Sequence, residues 1–375
     1  MTPSPPGWAR RTLVLALLVP ALTGCQATPK GDFSPRPAPT DVGTVSVLPS
    51  APGTPTTSRD DAVKSVLAIS IDGLNPRAIG ALGPAGAPTF HRLMREGAWS
   101  FDARTEREST STLPNHTGML TGRRVDASRG GHGVTFNDDN GKTVHQAAGH
   151  YVASVFDVVH DRGGGTALFS AKEKFRFYER SWNADGAQDR VGGDHGRAKI
   201  DRVTVDENDT RLVAELNTEL RTAPRRFTFL HIALPDEAGH RSGFMAQDYL
   251  DAVRQTDGLL ATVLKTITDR PALRGQLLVV LTADHGGDAA SHRTVTALQN
   301  YRVPFMVWGP GVAAGKDLYA INPSFRSPGA SRTSYSGQQP VRNGDLANLA
   351  TDVLGLPRVP GSEHNADQRL NVFQR

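Results

Sequence analysis

Three apolar stretches of the chain each lead into side chains that can bind metal ions. The first (VLAISI) ends at Asp72, the second (FTFLHIAL) leads to Asp236 with His240 four residues later, and the third (LLVVL) leads to Asp284 and His285. Continuous apolar runs of this length are typical of strands buried on both faces. The carboxyl ends of parallel strands lie at one edge of a sheet, where α/β proteins bind ligands. We therefore expect these five side chains to converge on one crevice.

Carboxylate and imidazole groups are ligands of zinc and similar divalent ions. Five or six such groups exceed the need of one four-coordinate zinc ion, so the pattern predicts two metal ions. Each motif alone has a simpler explanation. A lone aspartate such as Asp72 usually caps a turn or a helix, and a pair spaced like Asp236 and His240 often arises by chance. Their joint occurrence favours a metal site.

A run of hydroxyl side chains, Ser109–Thr112, precedes a probable helix that contains Met119 and Leu120. A hydroxyl at a helix N-terminus is most often only a cap. The same position also suits an anionic phosphate, and a hydroxyl that binds a metal ion becomes more acidic and can act as a nucleophile. These residues by themselves leave both interpretations open.

Predicted strands and helices alternate along the chain from about residue 62. Strands are expected at 66–71, 166–170, 227–234, 277–281 and 303–308, and helices around 90–94, 152–159, 209–222, 245–268 and 345–354. This alternation predicts one α/β domain over residues 62–375, with a mostly parallel central sheet covered by helices on both faces. Residues 175–209 are polar and irregular, and we expect them to form a small cap or a set of loops over the site.

The N-terminal region predicts export. Arg10 and Arg11 precede an apolar run that is too short to span a bilayer, which needs about twenty residues, so the run is typical of a secretory signal. It ends in Leu-Thr-Gly-Cys25, which resembles the lipobox of bacterial lipoproteins and implies cleavage and lipidation at Cys25. An ordinary signal peptide with an incidental cysteine is the alternative. We expect residues 1–25 to be the signal and residues 26–61, rich in Pro, Thr, Ser and Gly, to be a disordered tether. The predicted location is the bacterial cell envelope, with a lipid anchor in the membrane.

The charge and composition of the chain limit the classes of binding partner. The formal net charge is +4, with acidic and basic residues interspersed, and no lysine- and arginine-rich stripe alternates with aromatic residues. Nucleic-acid binding is therefore not indicated, and no feature points to a protein partner. Cys25 is the single cysteine, so the lipidated chain could form no disulfide.

Five segments in order along the chain resemble the alkaline phosphatase superfamily, and within it the nucleotide pyrophosphatase/phosphodiesterase branch, also called type I phosphodiesterases. The segments are Asp72, Thr112–His116 (TLPNH), His132–Asn137 (HGVTFN), Pro235–His240 (PDEAGH) and Asp284–Gly286 (DHG). The resemblance covers residues 66–356 and implies the alkaline phosphatase-like fold.

The resemblance also implies roles for single residues. One zinc ion would be held by Asp72, Thr112, Asp284 and His285. The other would be held by Asp236, His240 and a third histidine. His292 stands where the family places that ligand, although Arg293 follows it where the family often has glycine, and His364 is the rival. Thr112 would be the nucleophile, and Asn137 would donate a hydrogen bond to a phosphoryl oxygen.

The implied function is a two-metal phosphoester hydrolase, with zinc as the expected metal, that acts on a small phosphate ester or nucleotide-like substrate through a phosphothreonine intermediate. A phosphodiesterase or nucleotide pyrophosphatase is favoured over a phosphomonoesterase or phosphonate hydrolase of the same superfamily. A sulfatase is disfavoured because the cysteine or serine motif of that branch is absent. An envelope lipoprotein that only binds metal or anions is the alternative from another class. Lys172 and Lys174 could reach substrate phosphate or lie on the surface.

Overall fold

The computed structural model describes residues 63–184 and 197–374. The predicted signal with Cys25 and the predicted tether lie outside these residues, so they stay predictions. Within the described ranges, no helix has both the length and the apolar character needed to cross a membrane.

Eight strands form one sheet. They are β1 (Ser65–Ile71), β2 (Ala98–Arg104), β3 (Thr166–Ser170), β4 (Arg202–Val205), β5 (Phe227–Ile232), β6 (Leu277–Thr282), β7 (Arg302–Trp308) and β8 (Lys316–Asp317). Their order across the sheet is β4-β3-β5-β1-β6-β7-β2-β8. Strand β7 runs antiparallel to both of its neighbours, and every other pairing is parallel. The predicted mostly parallel sheet is confirmed.

The helices are distributed along the whole described chain. They are α1 (Pro76–Gly86), α2 (Pro88–Glu96), α3 (Thr112–Thr121), α4 (Val144–Ala148), α5 (Val155–His160), α6 (Arg176–Glu179), α7 (Asp209–Thr222), α8 (Leu234–Ser242), α9 (Gln247–Thr268), α10 (Pro271–Arg274), α11 (Leu298–Tyr301), α12 (Leu318–Ile321) and α13 (Asp345–Val353). Short 3-10 turns at Ala127–Arg129 and Glu173–Phe175 and a π-turn at Arg180–Ala184 complete the regular structure.

Two helical groups cover the sheet. Helix α9 packs with α1, α2, α7 and α8, while α13 packs with α3 and α5 and also contacts β1. Strands β1, β5 and β6 in the middle of the sheet are buried along their whole length. Their continuous apolar sequences follow from this environment, because a strand covered on both faces has no solvent side to make polar.

The predicted elements are present, with small shifts at their ends, whereas three strands were not predicted. Strand β2 alternates buried and half-buried residues, β4 is half-buried throughout, and β8 has only two residues. Strand β4 lies at one edge of the sheet and within the segment predicted to be a cap or loops. That prediction was therefore incomplete, since part of the segment extends the sheet.

Candidate active site

The three predicted metal-binding aspartates lie together because their strands are neighbours. Asp72 directly follows β1, Asp236 lies in the first turn of α8 after β5, and Asp284 follows β6 by two residues. Strands β5, β1 and β6 are adjacent and parallel. All three carboxylates are buried at the carboxyl edge of the sheet, as the motif spacing predicts.

The first group of potential metal ligands consists of Asp72, Asp284 and His285. One ligand atom from each lies within 4.8 Å of the others. His285 Nε2 is 3.4 Å from Asp72 Oδ1 and 3.2 Å from Asp284 Oδ2. These three residues are the side chains that the resemblance assigns, with Thr112, to one metal ion.

The second group consists of Asp236, His240 and His292. His240 Nε2 is 3.4 Å from Asp236 Oδ1 and 3.1 Å from His292 Nε2, and His292 Nε2 is 3.9 Å from Asp236 Oδ1. The His240 side chain is 44% exposed, so this group faces the solvent side of the crevice. His285 Nε2 also lies 3.9 Å from Asp236 Oδ1, which places His285 between the two groups.

Four potential ligand atoms of these groups are buried and lack a hydrogen-bond partner within the described residues. They are Asp72 Oδ1, Asp236 Oδ1, Asp284 Oδ2 and His285 Nε2. Leaving one buried polar atom unpaired costs about 1–3 kcal/mol, and more when it is charged. A divalent cation in each group would pair with these atoms, so the donor set fits the predicted metal ions.

The tautomers of the three histidines support the same conclusion. Nδ1 of His240, His285 and His292 lies 3.1, 2.8 and 2.5 Å from a backbone carbonyl oxygen. A carbonyl oxygen only accepts, so each Nδ1 carries a proton, which leaves Nε2 as the atom that can bind a cation. Burial lowers the pKa of His285, and it lowers the pKa of His292 to about 3. Nε2 of His240 and Nε2 of His292 are 3.1 Å apart, so one cation can contact both nitrogens.

The electrostatic balance of the crevice is negative. Burial raises the pKa of Asp284 well above its usual range, and the neighbouring carboxylates of Asp72 and Asp236 raise it further. Burial acts in the same direction on Asp72, but Lys172 and His231 outweigh it and hold the pKa of Asp72 well below its usual value. Metal ions would supply the positive charge that three carboxylates need.

Thr112 is the first residue of α3, and its backbone connects it to the first ligand group. The carbonyl oxygen of Thr112 accepts a hydrogen bond from His116 Nδ1 at 2.8 Å, and the same nitrogen lies 3.7 Å from Asp284 Oδ2. His116 Nε2 accepts from the hydroxyl of Ser70 in β1 at 2.8 Å. His116 is thus a buried core residue that connects the start of α3 to the sheet.

The loop before Thr112 is bound to the second ligand group through Thr110. The carbonyl oxygen of Thr110 accepts from His292 Nδ1, and the Thr110 hydroxyl donates to the carbonyl oxygen of His292, both at 2.5 Å. This reciprocal pair orients the His292 ring. It was not predicted, because nothing in the sequence indicates that residues 182 positions apart form a pair.

Asn137 lies against the first turn of α3. Its Oδ1 accepts from the backbone nitrogen of Leu113 at 3.0 Å, so the amide nitrogen of the same side chain remains a possible donor beside Thr112. The Lys174 ammonium donates to the carbonyl oxygen of Asn137 at 2.8 Å, and its carboxylate neighbour Asp138 is 3.8 Å away and 98% exposed. Lys174 is therefore near the predicted phosphoryl site.

Lys172 neither lies on the surface nor points to the predicted phosphoryl site, the two places that the sequence suggested for it. Its ammonium donates to Asp72 Oδ2 and to Asp236 Oδ2, both at 2.6 Å. His231, in β5, contributes a further contact of 3.0 Å from its Nε2 to Asp72 Oδ2. Lys172 follows β3 by two residues, and β3 is the strand next to β5. A signal was available, since Lys172 follows a buried strand as the aspartates do, but a lysine there is more often a surface residue.

An aromatic ring packs behind the segments that carry the candidate metal ligands. The Phe244 ring lies so close to Gly73, Gly239 and Gly287 that a Cβ atom at these positions would come within 3.1, 2.7 and 2.2 Å of it. Each glycine belongs to the loop or helix of a different metal-site aspartate. The ring also contacts two of the metal-site imidazoles, at centroid distances of 5.9 and 6.4 Å. The glycines after each aspartate thus allow one ring to pack against all three segments.

His364, the rival for the third histidine ligand, lies in another cluster. Its Nε2 is 3.0 Å from both carboxylate oxygens of Glu106, and it is not part of either ligand group. Burial lowers the pKa of His364, but the adjacent Glu106 carboxylate outweighs this effect and raises it. The structure therefore brings His292, and not His364, to Asp236 and His240.

The fold is that of the alkaline phosphatase superfamily, and the two ligand groups lie together at the carboxyl edge of its sheet. The model of one family within it, described as type I phosphodiesterase / nucleotide pyrophosphatase, matches residues 66–324, which is more than half of the chain. The chain belongs to this family, as the sequence motifs predict.

Similar solved structures have related architectures. Murine ectonucleotide pyrophosphatase/phosphodiesterase 5, in an inactive form in complex with AMP, has a TM-score of 0.59 at 13% identity, and the match covers 83% of this chain and 100% of that one. The human counterpart has a TM-score of 0.54 at 13% identity, covering 81% and 99% of the two chains. A 2-O GAG sulfatase has a TM-score of 0.54 at 14% identity, covering 83% and 76%. At such low identities these matches show the fold alone.

A relative in sequence is GPI ethanolamine phosphate transferase 1 of Emericella nidulans. It is 32% identical over 146 residues, which is 38% of this chain but only 15% of the relative. The chain thus matches a small part of that protein's length.

Proposed function

We propose that the protein is a zinc-dependent phosphodiesterase or nucleotide pyrophosphatase that acts through a phosphothreonine intermediate at Thr112. The observation that carries the proposal is the set of four buried, unpaired ligand atoms at the crevice. Family membership adds to it, because the family is defined by this type of reaction. One zinc would be held by Asp72, Thr112, Asp284 and His285 and the other by Asp236, His240 and His292.

The chain's own residues would position the reaction. Two divalent ions supply positive charge to the phosphoryl group and acidify the attacking hydroxyl. Thr112 Oγ1 would lose its proton to solvent and attack phosphorus, while the bond to the leaving-group oxygen breaks on the opposite side and that oxygen takes a proton from solvent. Water then attacks the phosphothreonine, which releases the phosphorylated product and restores the hydroxyl. The Asn137 amide donates to a phosphoryl oxygen, and the N-terminus of α3 favours the negative charge.

The substrate class is tested by comparing two aryl esters that differ only at phosphorus. A diester carries one negative charge and a monoester dianion about two at neutral pH. The Lys172 ammonium already donates to two aspartates, so we do not expect it to bind the second negative charge of a monoester. We therefore expect a higher kcat/KM for the methyl diester. A tenfold preference for the monoester, about 1.4 kcal/mol of transition-state binding, would contradict the phosphodiesterase proposal while leaving the two-metal site intact.

A phosphomonoesterase or phosphonate hydrolase is the second candidate, and Lys174 is the observation that favours it. Its ammonium lies beside Asn137 and has only an exposed aspartate as its nearby anionic partner. Lys174→Met distinguishes the candidates. In a monoesterase it should lower kcat/KM for the monoester much more than for the diester. No turnover of either ester by the zinc-loaded protein would favour the non-catalytic, metal- or anion-binding lipoprotein.

We further propose that the protein is exported and anchored through a lipid on Cys25. The support is the lipobox-like sequence after a short apolar run. The variant Cys25→Ser should move the protein from the membrane fraction to the soluble fraction, or block its processing, since the thiol is the site of lipidation. The measurement is detergent-phase partitioning of both proteins after expression in a bacterial host. Equal partitioning of the variant and the native protein would count against the anchor.

A further inference from the structure

Lys172 connects the two groups of metal ligands. Its ammonium donates to Asp72, which belongs to the first group, and to Asp236, which belongs to the second, both at 2.6 Å. No other lysine or arginine of the described ranges forms an ion pair with these two carboxylates. The Lys172 side chain is only 16% exposed, so these charges interact in a largely water-excluded environment.

In both Asp72 and Asp236, the two carboxylate oxygens have different surroundings. Lys172 contacts Oδ2 of Asp72 and Oδ2 of Asp236. The Oδ1 atoms of the same residues are buried, accept no hydrogen bond from any described residue, and lie near the imidazole nitrogens of the ligand groups. The ammonium therefore fixes the orientation of both carboxylates while leaving one oxygen of each available for a metal ion.

The backbone around Lys172 is also held in place. The Ser170 hydroxyl accepts from the backbone nitrogen of Lys172 at 3.1 Å and lies 3.3 Å from Nδ1 of His231. His231 in turn contacts the same Asp72 oxygen as Lys172. Without bound metal, moving the ammonium away would leave two buried carboxylates without a counter-ion, which is unfavourable.

We propose that Lys172 is a positioning residue, an internal cation that keeps the ligands of both metal ions in place and neutralises them before metal is bound. This role rests on the metal-binding part of the proposed function, but it requires no particular substrate. It predicts that Lys172 stabilises the metal-free protein more than the metal-loaded protein, because bound zinc supplies positive charge to the same carboxylates.

The test is the melting temperature of the chelator-treated and the zinc-loaded full-length protein. Breaking a buried ion pair is strongly destabilising, so we expect Lys172→Met to lower the metal-free value by about 6 °C or more. The loss in the zinc-loaded protein should be less than half as large. Lys172→Arg keeps the charge and should recover at least half of the metal-free loss.

Lys174→Met is the matched control, because it removes the same charge two residues away. Its ion-pair partner is an exposed aspartate at 3.8 Å, and it also donates to one backbone carbonyl oxygen, so we expect less than about 2 °C of change in either form. Equal losses for Lys172→Met in the metal-free and zinc-loaded forms, or no loss in the metal-free form, would overturn the proposal.

If Lys172→Met does not fold in either form, a double variant tests the role of Lys172. Adding Asp236→Asn removes one of the two charges that Lys172 neutralises and should restore folding, and continued failure to fold would contradict the role. These readouts use zinc and temperature alone. A protein that shows the expected pattern but does not hydrolyse phosphodiesters would support the role of Lys172 and refute the proposed reaction.

Discussion

Replacement of Thr112 by alanine should lower kcat/KM for a phosphodiester by at least about a thousandfold, or about 4 kcal/mol of transition-state stabilisation. Thr112 starts α3, and its carbonyl oxygen is bound by His116, which also lies near Asp284. Of the four hydroxyl residues at 109–112, it is the one that directly precedes the Leu-Pro-Asn-His sequence. Without its hydroxyl the chain lacks the atom that forms the covalent intermediate.

Ser111 provides the matched control. It is the N-cap residue of α3, but its side chain makes no capping hydrogen bond, so Ser111→Ala should retain most of the activity. Acid quenching during turnover of a phosphorus-labelled diester should place the label on Thr112. Recovery of the label on Ser111 or Ser109, or substantial turnover by Thr112→Ala with normal zinc content, would refute the assignment of the nucleophile.

Removal of metal should abolish turnover and lower the melting temperature by about 5 °C or more, because an ion that binds only the native state at a hundred times its Kd contributes about 2.7 kcal/mol. The physical reason lies in the crevice, where one ammonium pairs with only two of the three carboxylates, and where four ligand atoms have no hydrogen-bond partner among the described residues. Zinc added back should restore both properties. Full activity in a sample with only trace metal, measured by elemental analysis, would disprove the two-metal proposal.

A pair of histidine variants tests the ligand set. His292→Ala should lower the zinc content by about one ion per chain, because His292 Nε2 is directed at Asp236 and His240. His364→Gln should leave the zinc content unchanged, because His364 pairs with Glu106 in a separate cluster. The opposite result would restore His364 as the third histidine ligand.

The central strands and the residues that follow them could be predicted because burial of a strand determines which residue types it contains. Strands β1, β5 and β6 are covered on both faces, so most of their residues are apolar, and a charged residue directly after such a run is easy to recognise. The edge strands β4 and β8 have no such apolar run. The half-buried residues of β4 are partly polar and partly apolar, and β8 has only two residues. Strand β2 was missed for the same reason, since half-buried polar residues interrupt it.

The sequence by itself determined the type of site: three aspartates and three histidines at strand ends and in adjoining loops, with a threonine at a helix start. Only the tertiary structure decided which ligand group each residue belongs to and which side chains hold it in place. It placed His285 between the two ligand groups, brought His292 rather than His364 to Asp236, and turned Lys172 inward. The reason is that the chemical properties of a side chain follow from the residue type alone, whereas its spatial neighbours depend on the order of the strands in the sheet. Lys172 meets Asp236 and Asp72 because β3, β5 and β1 are adjacent in the sheet, although β5 follows β3 by more than fifty residues and β1 precedes it by almost a hundred.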